Sequence, residues 1–343
     1  MDRRIIERSF YQAMKKPFLK EGFLSVSGKE EDENHQVGEG RGEDTPMLLA
    51  SIIKLFTTTV IFCLMEEGKL TLGDALGKYL SEETLEGLHR ERGKDHSPSL
   101  TIGHLLTQTS GLPDYYLHGS PSLFDQVKER DFAYGFGDIL LWVKKMPAEF
   151  QPGGKRKAYY ADVNFDLLGE VIEKVSGESL SWAYAHYILQ PLGLSQTTLL
   201  EKAEDQVPET YLQGKRIHRP QFIRSTKASG GMVSTAKELR IFLQAFFQGT
   251  LFPKKHLLGK RRSLQMSFYP ILYSQGFICV PVKKPFEEED FDAAIEALRE
   301  HIASFDPTLY GFYYEEDTAP SFQLEPQGQR GYIEARLVSA LKD

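Results

Sequence analysis

A lysine lies inside the longest apolar stretch of this chain, and that conflict limits what the stretch can become. Leu48 to Met65 is apolar almost throughout, yet it carries Lys54 near its middle, with Ser51 and Thr57-Thr58-Thr59 close by. Placing such a segment across a bilayer costs about 2.5–3.5 kcal/mol for the lysine alone. The stretch therefore reads as a helix buried in protein. Ser51 and Lys54 are three residues apart and share a helix face. Lys54 reaches the serine oxygen, and because burial lowers a lysine's affinity for its proton, it is expected to act as a base there. Ser51 at the helix start also feels the positive end of the helix dipole, which favours an attacking oxyanion. A capping serine followed by a lysine stretching to solvent has the same spacing, so the pair alone does not decide.

Further landmarks follow in order. Ala50-Ser51-Ile52-Ile53-Lys54 is succeeded by Glu66-Glu67-Gly68-Lys69-Leu70-Thr71-Leu72, then by the segment from Thr101 to Pro113, TIGHLLTQTSGLP. Pro152-Gly153 comes next, then Tyr160-Ala161-Asp162 leading into VNFDLLG, which ends at Gly169, and Ser229-Gly230-Gly231-Met232-Val233-Ser234-Thr235. On these motifs the chain resembles the serine β-lactamase and penicillin-binding-protein family, in particular its class C-like and esterase branch, over roughly residues 20 to 278.

The resemblance implies an α/β (α+β) fold of the β-lactamase/transpeptidase type, an antiparallel sheet flanked by helices plus an all-helical region. It implies Ser51 as nucleophile, Lys54 as its partner and Tyr160 as the tyrosine facing the nucleophile across the cleft. A cation beside Tyr160 is expected to ease ionisation of the phenol, which then moves the proton between Ser51 and the leaving group. Asp162 stands where the family more often has Asn. An ionised aspartate accepts hydrogen bonds and donates none, so Asp162 suits holding Lys54 better than holding a substrate amide, and ester substrates gain weight. Its other reading is a cap for the helix beginning at residue 163.

The family's third element, Lys-Thr-Gly or His-x-Gly on a cleft-lining strand, is missing after Tyr273-Ser274-Gln275-Gly276-Phe277. His118-Gly119-Ser120 lies too early for it. The segment from Gln327 to Gly331 offers a turn before a strand, with Arg330 as a substitute cation. The Ser51 N–H is one expected oxyanion donor, and the second has no candidate.

Composition bounds the rest. The 343 residues, 41% hydrophobic and 26% charged, suit one large domain or two. A net charge of -7 argues against nucleic acid as partner. Cys63 and Cys279 do not make a disulfide framework, and Cys63 reads as core. The histidines form no metal-ligand spacing, and no cofactor or metal is implied. His104 reads as structural, Gly230-Gly231 as a tight turn, and the lysines and arginines between 254 and 262 as a solvated face. The first residues lack the apolar core of a secretory signal, so the chain is expected to be cytoplasmic and without a membrane span. Its partner is expected to be a small ester, amide or β-lactam.

Charge marks the domain plan. Residues 285–343 hold 14 acidic and 4 basic residues, while 251–284 hold no acidic residue. The division falls at 284: a hydrolase domain over 1–284, expected to lack its usual last sheet strands, and an acidic α/β segment over 285–343. An amphipathic helix near 287–304 and strands near 309–314 and 331–338 are predicted there, the last a possible replacement strand for the sheet. Upstream, helices are predicted over 3–15, 51–67, 102–109, 122–129, 137–146, 163–176, 179–189 and 235–247, with a strand near 23–27. Two other function classes stand beside the hydrolase: a catalytically impaired scaffold acting as a binding or regulatory protein, and an interaction module built on the 287–304 helix.

Overall fold

The computed structural model describes residues 3–16, 19–26, 35–118, 122–154, 157–212 and 215–258. It also describes the strands Arg262–Leu264, Leu272–Ser274, Phe277–Pro281, Gly311–Tyr313 and Tyr332–Arg336. Gln327 to Gly331 and the predicted helix at 287–304 lie outside the described residues.

The Leu48–Met65 stretch folds as anticipated. A 3₁₀ turn, Ala50–Ile52, runs directly into the α-helix Ile53–Glu66. Residues 53 to 64 of that helix are all buried, Lys54 included, because a helix apolar on every side must be surrounded. Around it stand the Val163–Ser176 helix, the Ala236–Gln248 helix and the Leu180–Tyr184 helix. Phe56 stacks on Phe242 with ring centroids 3.8 Å apart, and Thr57 Oγ1 lies 2.7 Å from the Tyr184 hydroxyl. Leu167, Leu168, Val171 and Ile172 form the buried apolar face of the Val163–Ser176 helix. Gly177, at φ 73°, stops that helix in the left-handed conformation that glycine adopts at no steric cost. Among the described residues no helix is long and apolar enough to cross a membrane.

Two sheets matter for the site. In the first, Met232–Ser234 is central and pairs antiparallel with Met47–Leu48 and Thr198–Leu199. The second has six strands in the order Gly311–Tyr313, Tyr332–Arg336, Phe277–Pro281, Leu272–Ser274, Arg262–Leu264, Lys157–Ala158. Its neighbours are antiparallel except the last pair, which is parallel. The edge strand Lys157–Ala158 leads straight into Tyr159 and Tyr160. At the other side, Phe277–Pro281 pairs with Tyr332–Arg336 in the register Val280 to Ile333, so strands of the acidic segment extend this sheet. At the N-terminus, Gly22–Val26 and His35–Glu39 form a hairpin, with Ile6, Phe10 and Val37 as a small core of their own.

Most predicted helices appear within two residues of their expected ends. One difference is informative: the helix expected over 102–109 spans only Ile102–Leu106. Gln108, at φ 57°, turns the chain left-handed and ends it.

Candidate active site

The turn that presents Ser51 is fastened from both sides. Leu48 lies opposite Val233 in the first sheet, and the Leu49 N–H donates to the Met232 carbonyl at 2.7 Å. Ala50 then adopts φ 44°, a left-handed conformation unusual for a residue with a Cβ. Backbone held in that region persists only where the surroundings over-determine it, and such residues gather at functional sites.

Three side chains meet at the serine oxygen. Lys54 Nζ donates to Ser51 Oγ at 3.1 Å and to the Ser229 carbonyl at 2.9 Å. Tyr160 donates its phenol O–H to the same Ser51 Oγ at 2.8 Å. Asp162 Oδ1 lies 2.7 Å from Lys54 Nζ, a charge contact outside hydrogen-bonding alignment. Lys54 is 1% exposed, with its ammonium 5.0 Å from the Tyr160 ring centre and 5.7 Å from that of Phe165. Asp162 occupies the N-cap position of the Val163–Ser176 helix but makes no capping bond. Its carboxylate is turned to the lysine instead.

The electrostatics correct one expectation. Burial does push the Lys54 pKa down, but the Asp162 charge and the Tyr160 oxygen outweigh it, and the net shift is upward. The lysine therefore rests as an ammonium, not as the free amine that burial alone would give. Tyr160 is raised as well: burial raises it, Lys54 lowers it without reversing the sign, and Asp162 adds to the rise. The expected easing of phenol ionisation by Lys54 is present but loses to burial. Ser51 Oγ thus accepts from a cation and a neutral phenol together, an environment that stabilises negative charge on that oxygen.

Two further carboxylates surround this set, and sequence reasoning passed over both. Asp114 and Asp166 are each pushed up to about 7, first by burial and then by the Asp162 charge. Asp114 accepts from the backbone N–H groups of Tyr116 and Leu117 at 3.0 and 3.3 Å. Asp166 Oδ2 accepts from the Tyr115 hydroxyl at 2.8 Å. The signal for Asp166 was available, since it lies one helical turn after Asp162 on an otherwise apolar face. Asp114 sits in a loop, where no periodicity marks burial.

The other candidates fall where structure needs them. His104 accepts from the Thr101 N–H at 3.3 Å as part of a capping box. His118 Nδ1 is 2.9 Å from the Tyr159 hydroxyl, which brings it beside the residue preceding Tyr160. Gly231 is pinned under Ile223, whose carbonyl would meet an added Cβ at 3.1 Å. Cys63 is buried, with Sγ 3.5 Å from the Leu251 carbonyl. Among the described residues no group of three or more His, Cys, Asp or Glu is placed to hold a metal ion.

Comparison with known proteins bears on the family and the fold. The Beta-lactamase family model matches residues 24–272. Esterase EstB of Burkholderia gladioli is 29% identical over 189 residues, covering 53% of this chain and 45% of that protein. A putative D-alanyl-D-alanine carboxypeptidase of Escherichia coli O157:H7 is 32% identical over 187 residues, covering 52% and 41%. The chain thus spans less than half the length of these curated relatives. A D-stereospecific amidohydrolase from Streptomyces sp. superposes with a TM-score of 0.64 at 24% identity, covering 79% of this chain and 82% of that one. The penicillin-binding protein homologue from Pyrococcus abyssi gives 0.64 at 24% identity, covering 82% and 65%. These likenesses establish the β-lactamase/transpeptidase-like fold, and the match over residues 24–272 establishes that the chain belongs to the β-lactamase family.

Proposed function

We propose that this chain is a serine hydrolase that cleaves a small ester or amide through an acyl-enzyme. The observation that carries the reading is the convergence of Lys54 Nζ and Tyr160 Oη on one serine oxygen, at 3.1 and 2.8 Å. The resting site holds one proton too many for attack, because Lys54 is an ammonium and Tyr160 a phenol. Loss of one proton from this hydrogen-bonded set leaves a base beside Ser51. As the Ser51 Oγ–carbonyl carbon bond forms, the serine proton passes to that base and from it to the departing alcohol or amine. Water then attacks the acyl carbon, the Ser51 ester bond breaks, and the hydroxyl returns. The Ser51 N–H, at the start of a helix whose first N–H groups lack intrahelical acceptors, serves as one oxyanion donor.

Asp162 favours esters in this reading. It is an acceptor engaged with Lys54, so it offers no donor to a substrate amide. The likeness to an esterase points the same way, whereas the carboxypeptidase and amidohydrolase relatives favour peptides or amides. The division of the chain into a hydrolase domain over 1–284 and an acidic addition over 285–343 belongs to the same proposal, with a role for the addition in extending the six-stranded sheet. The impaired-scaffold reading rests on the missing Lys-Thr-Gly or His-x-Gly tripeptide and on the acidic tail, and the strands bear only on the tail. Pairing of Phe277–Pro281 on both edges, by Leu272–Ser274 and Tyr332–Arg336, supplies strands in that part of the sheet. Ser51→Ala is the test: hydrolysis of a chromogenic acetyl or butyryl ester should vanish, and unchanged turnover would sink the reading.

A further inference from the structure

Gln108 occupies a position that helix-stop chemistry assigns to glycine. The Ile102–Leu106 helix ends in two characteristic bonds, from the Gln108 N–H to the Leu105 carbonyl at 3.1 Å and from the Thr109 N–H to the His104 carbonyl at 2.9 Å. In this arrangement the residue after the cap is left-handed and is most often Gly, sometimes Asn. Here it is a glutamine at φ 57°, fully buried. A side chain kept at a site where its own Cβ is disfavoured implies that the side chain is used.

Its use is visible on both sides of Tyr160. The Gln108 carbonyl accepts from the Tyr159 N–H at 2.8 Å. Its side-chain Oε1 accepts from the Ala161 N–H at 3.0 Å. One residue thus holds both backbone N–H groups that flank Tyr160. The left-handed turn is what lets the main-chain carbonyl and the side-chain amide of a single residue serve the same strand-to-helix loop. Asn164 locks the amide in place. Its Nδ2 also donates to Gln108 Oε1 and, at 3.2 Å, to the Ala161 carbonyl. Its Oδ1 accepts from Ser110 Oγ at 2.6 Å.

We propose that Gln108 is a positioning residue that sets the Tyr160 phenol against Ser51 by clamping the peptide groups on either side of it. The proposal rests on the serine-hydrolase reading and deepens it. A phenol that must move a proton at 2.8 Å tolerates little displacement, and misplacement of about 1 Å by a change outside the chemistry costs about a hundredfold.

The test is a double-mutant cycle on the full chain, with p-nitrophenyl acetate as probe. Gln108→Asn keeps a residue tolerant of the left-handed backbone but shortens the amide by one carbon. Gln108→Gly supplies the preferred residue there and removes the amide, so it serves where the Asn variant fails to fold. Each is measured with Tyr160 present and in a Tyr160→Phe background, with Ser51→Ala as control. The expected result is a loss of about ten- to a hundredfold in kcat with KM nearly unchanged when Tyr160 is present. In the Tyr160→Phe background the same substitution should cost less than about twofold, because there is no phenol left to misplace. An equal loss in both backgrounds, or none in either, overturns the positioning role. Turnover surviving Ser51→Ala removes the hydrolase reading and the positioning role with it. Turnover lost with Ser51→Ala, but with additive Gln108 and Tyr160 effects, removes the positioning role alone.

Discussion

Asp162 Oδ1 stands 2.7 Å from Lys54 Nζ, and this contact fixes the charge with which the site waits for substrate. It holds the lysine protonated against the pull of burial and raises the neighbouring phenol as well. The pair gives the buried Lys54 a counter-charge.

A pH dependence follows from those two upward shifts. The form able to accept the serine proton has lost one proton from the Lys54–Tyr160 set, so its fraction grows about tenfold per pH unit below the governing pKa. For hydrolysis of a small ester, kcat/KM should climb with near-unit slope between about pH 6 and 9. Asp162→Asn removes the charge that raises both groups, and the climb should move to lower pH. A flat wild-type profile over that range, or an unmoved one in the variant, would contradict this account of the site.

Tyr160→Phe removes one oxygen and little else. Positioned acid–base groups contribute about 10²–10⁴-fold, and kcat should fall by that order. Stability should change by about 1 kcal/mol, the worth of one hydrogen bond. Parallel measurement of kcat and of urea unfolding separates the two. A variant whose activity loss comes with a stability loss well above that of one hydrogen bond, more than about 3 kcal/mol, would mark Tyr160 as packing.

Asp166 makes a prediction about stability. Its pKa rises to about 7 in the folded chain from about 3.9 in an unfolded one. Between those values the folded state holds the extra proton, so stability falls as pH rises through that window and stays low above it. Asp166→Asn keeps an acceptor for the Tyr115 hydroxyl and abolishes the buried charge. It should raise the melting temperature at pH 8 and lose that advantage as pH falls toward 4. An offset equal at both ends would refute the assignment.

Part of the candidate site's geometry is legible in the sequence. Ser51 and Lys54 announce themselves by a three-residue spacing inside an apolar run, and the helix physics that spacing invokes holds in three dimensions. Tyr160 was reachable only through the ordered family landmarks, since 109 residues separate it from Ser51 and no local periodicity spans that distance. The charge state of Lys54 is not legible in the sequence, because burial, which the sequence suggests, opposes the Asp162 contact, which only the fold supplies. Asp114 and Gln108 went unnoticed because loop residues carry no periodic mark of burial. The shortened helix at Leu106 has the same origin: glutamine gives no warning of a left-handed turn that glycine would have signalled.

Two glycines with nearly equal φ should respond differently to alanine. Gly111, at φ 75°, would bring an added Cβ within 1.9 Å of the Phe150 carbonyl oxygen, whereas Gly177, at φ 73°, has nothing within 4 Å. Gly177→Ala should cost about 1–2 kcal/mol, the left-handed penalty alone. Gly111→Ala adds a backbone collision in the loop that carries Asp114, and should cost more than about 3 kcal/mol. Denaturant unfolding of the two variants makes the comparison, and equal losses would show that the Gly111 loop is not packed as described.

If Ser51 is an activated nucleophile, intact-mass spectrometry after incubation with a fluorophosphonate probe should show it. One adduct per chain is expected, mapped by peptide analysis to Ser51, absent in Ser51→Ala and slowed in Tyr160→Phe. Folded protein that takes up no probe, or an adduct on another residue that survives Ser51→Ala, would contradict it.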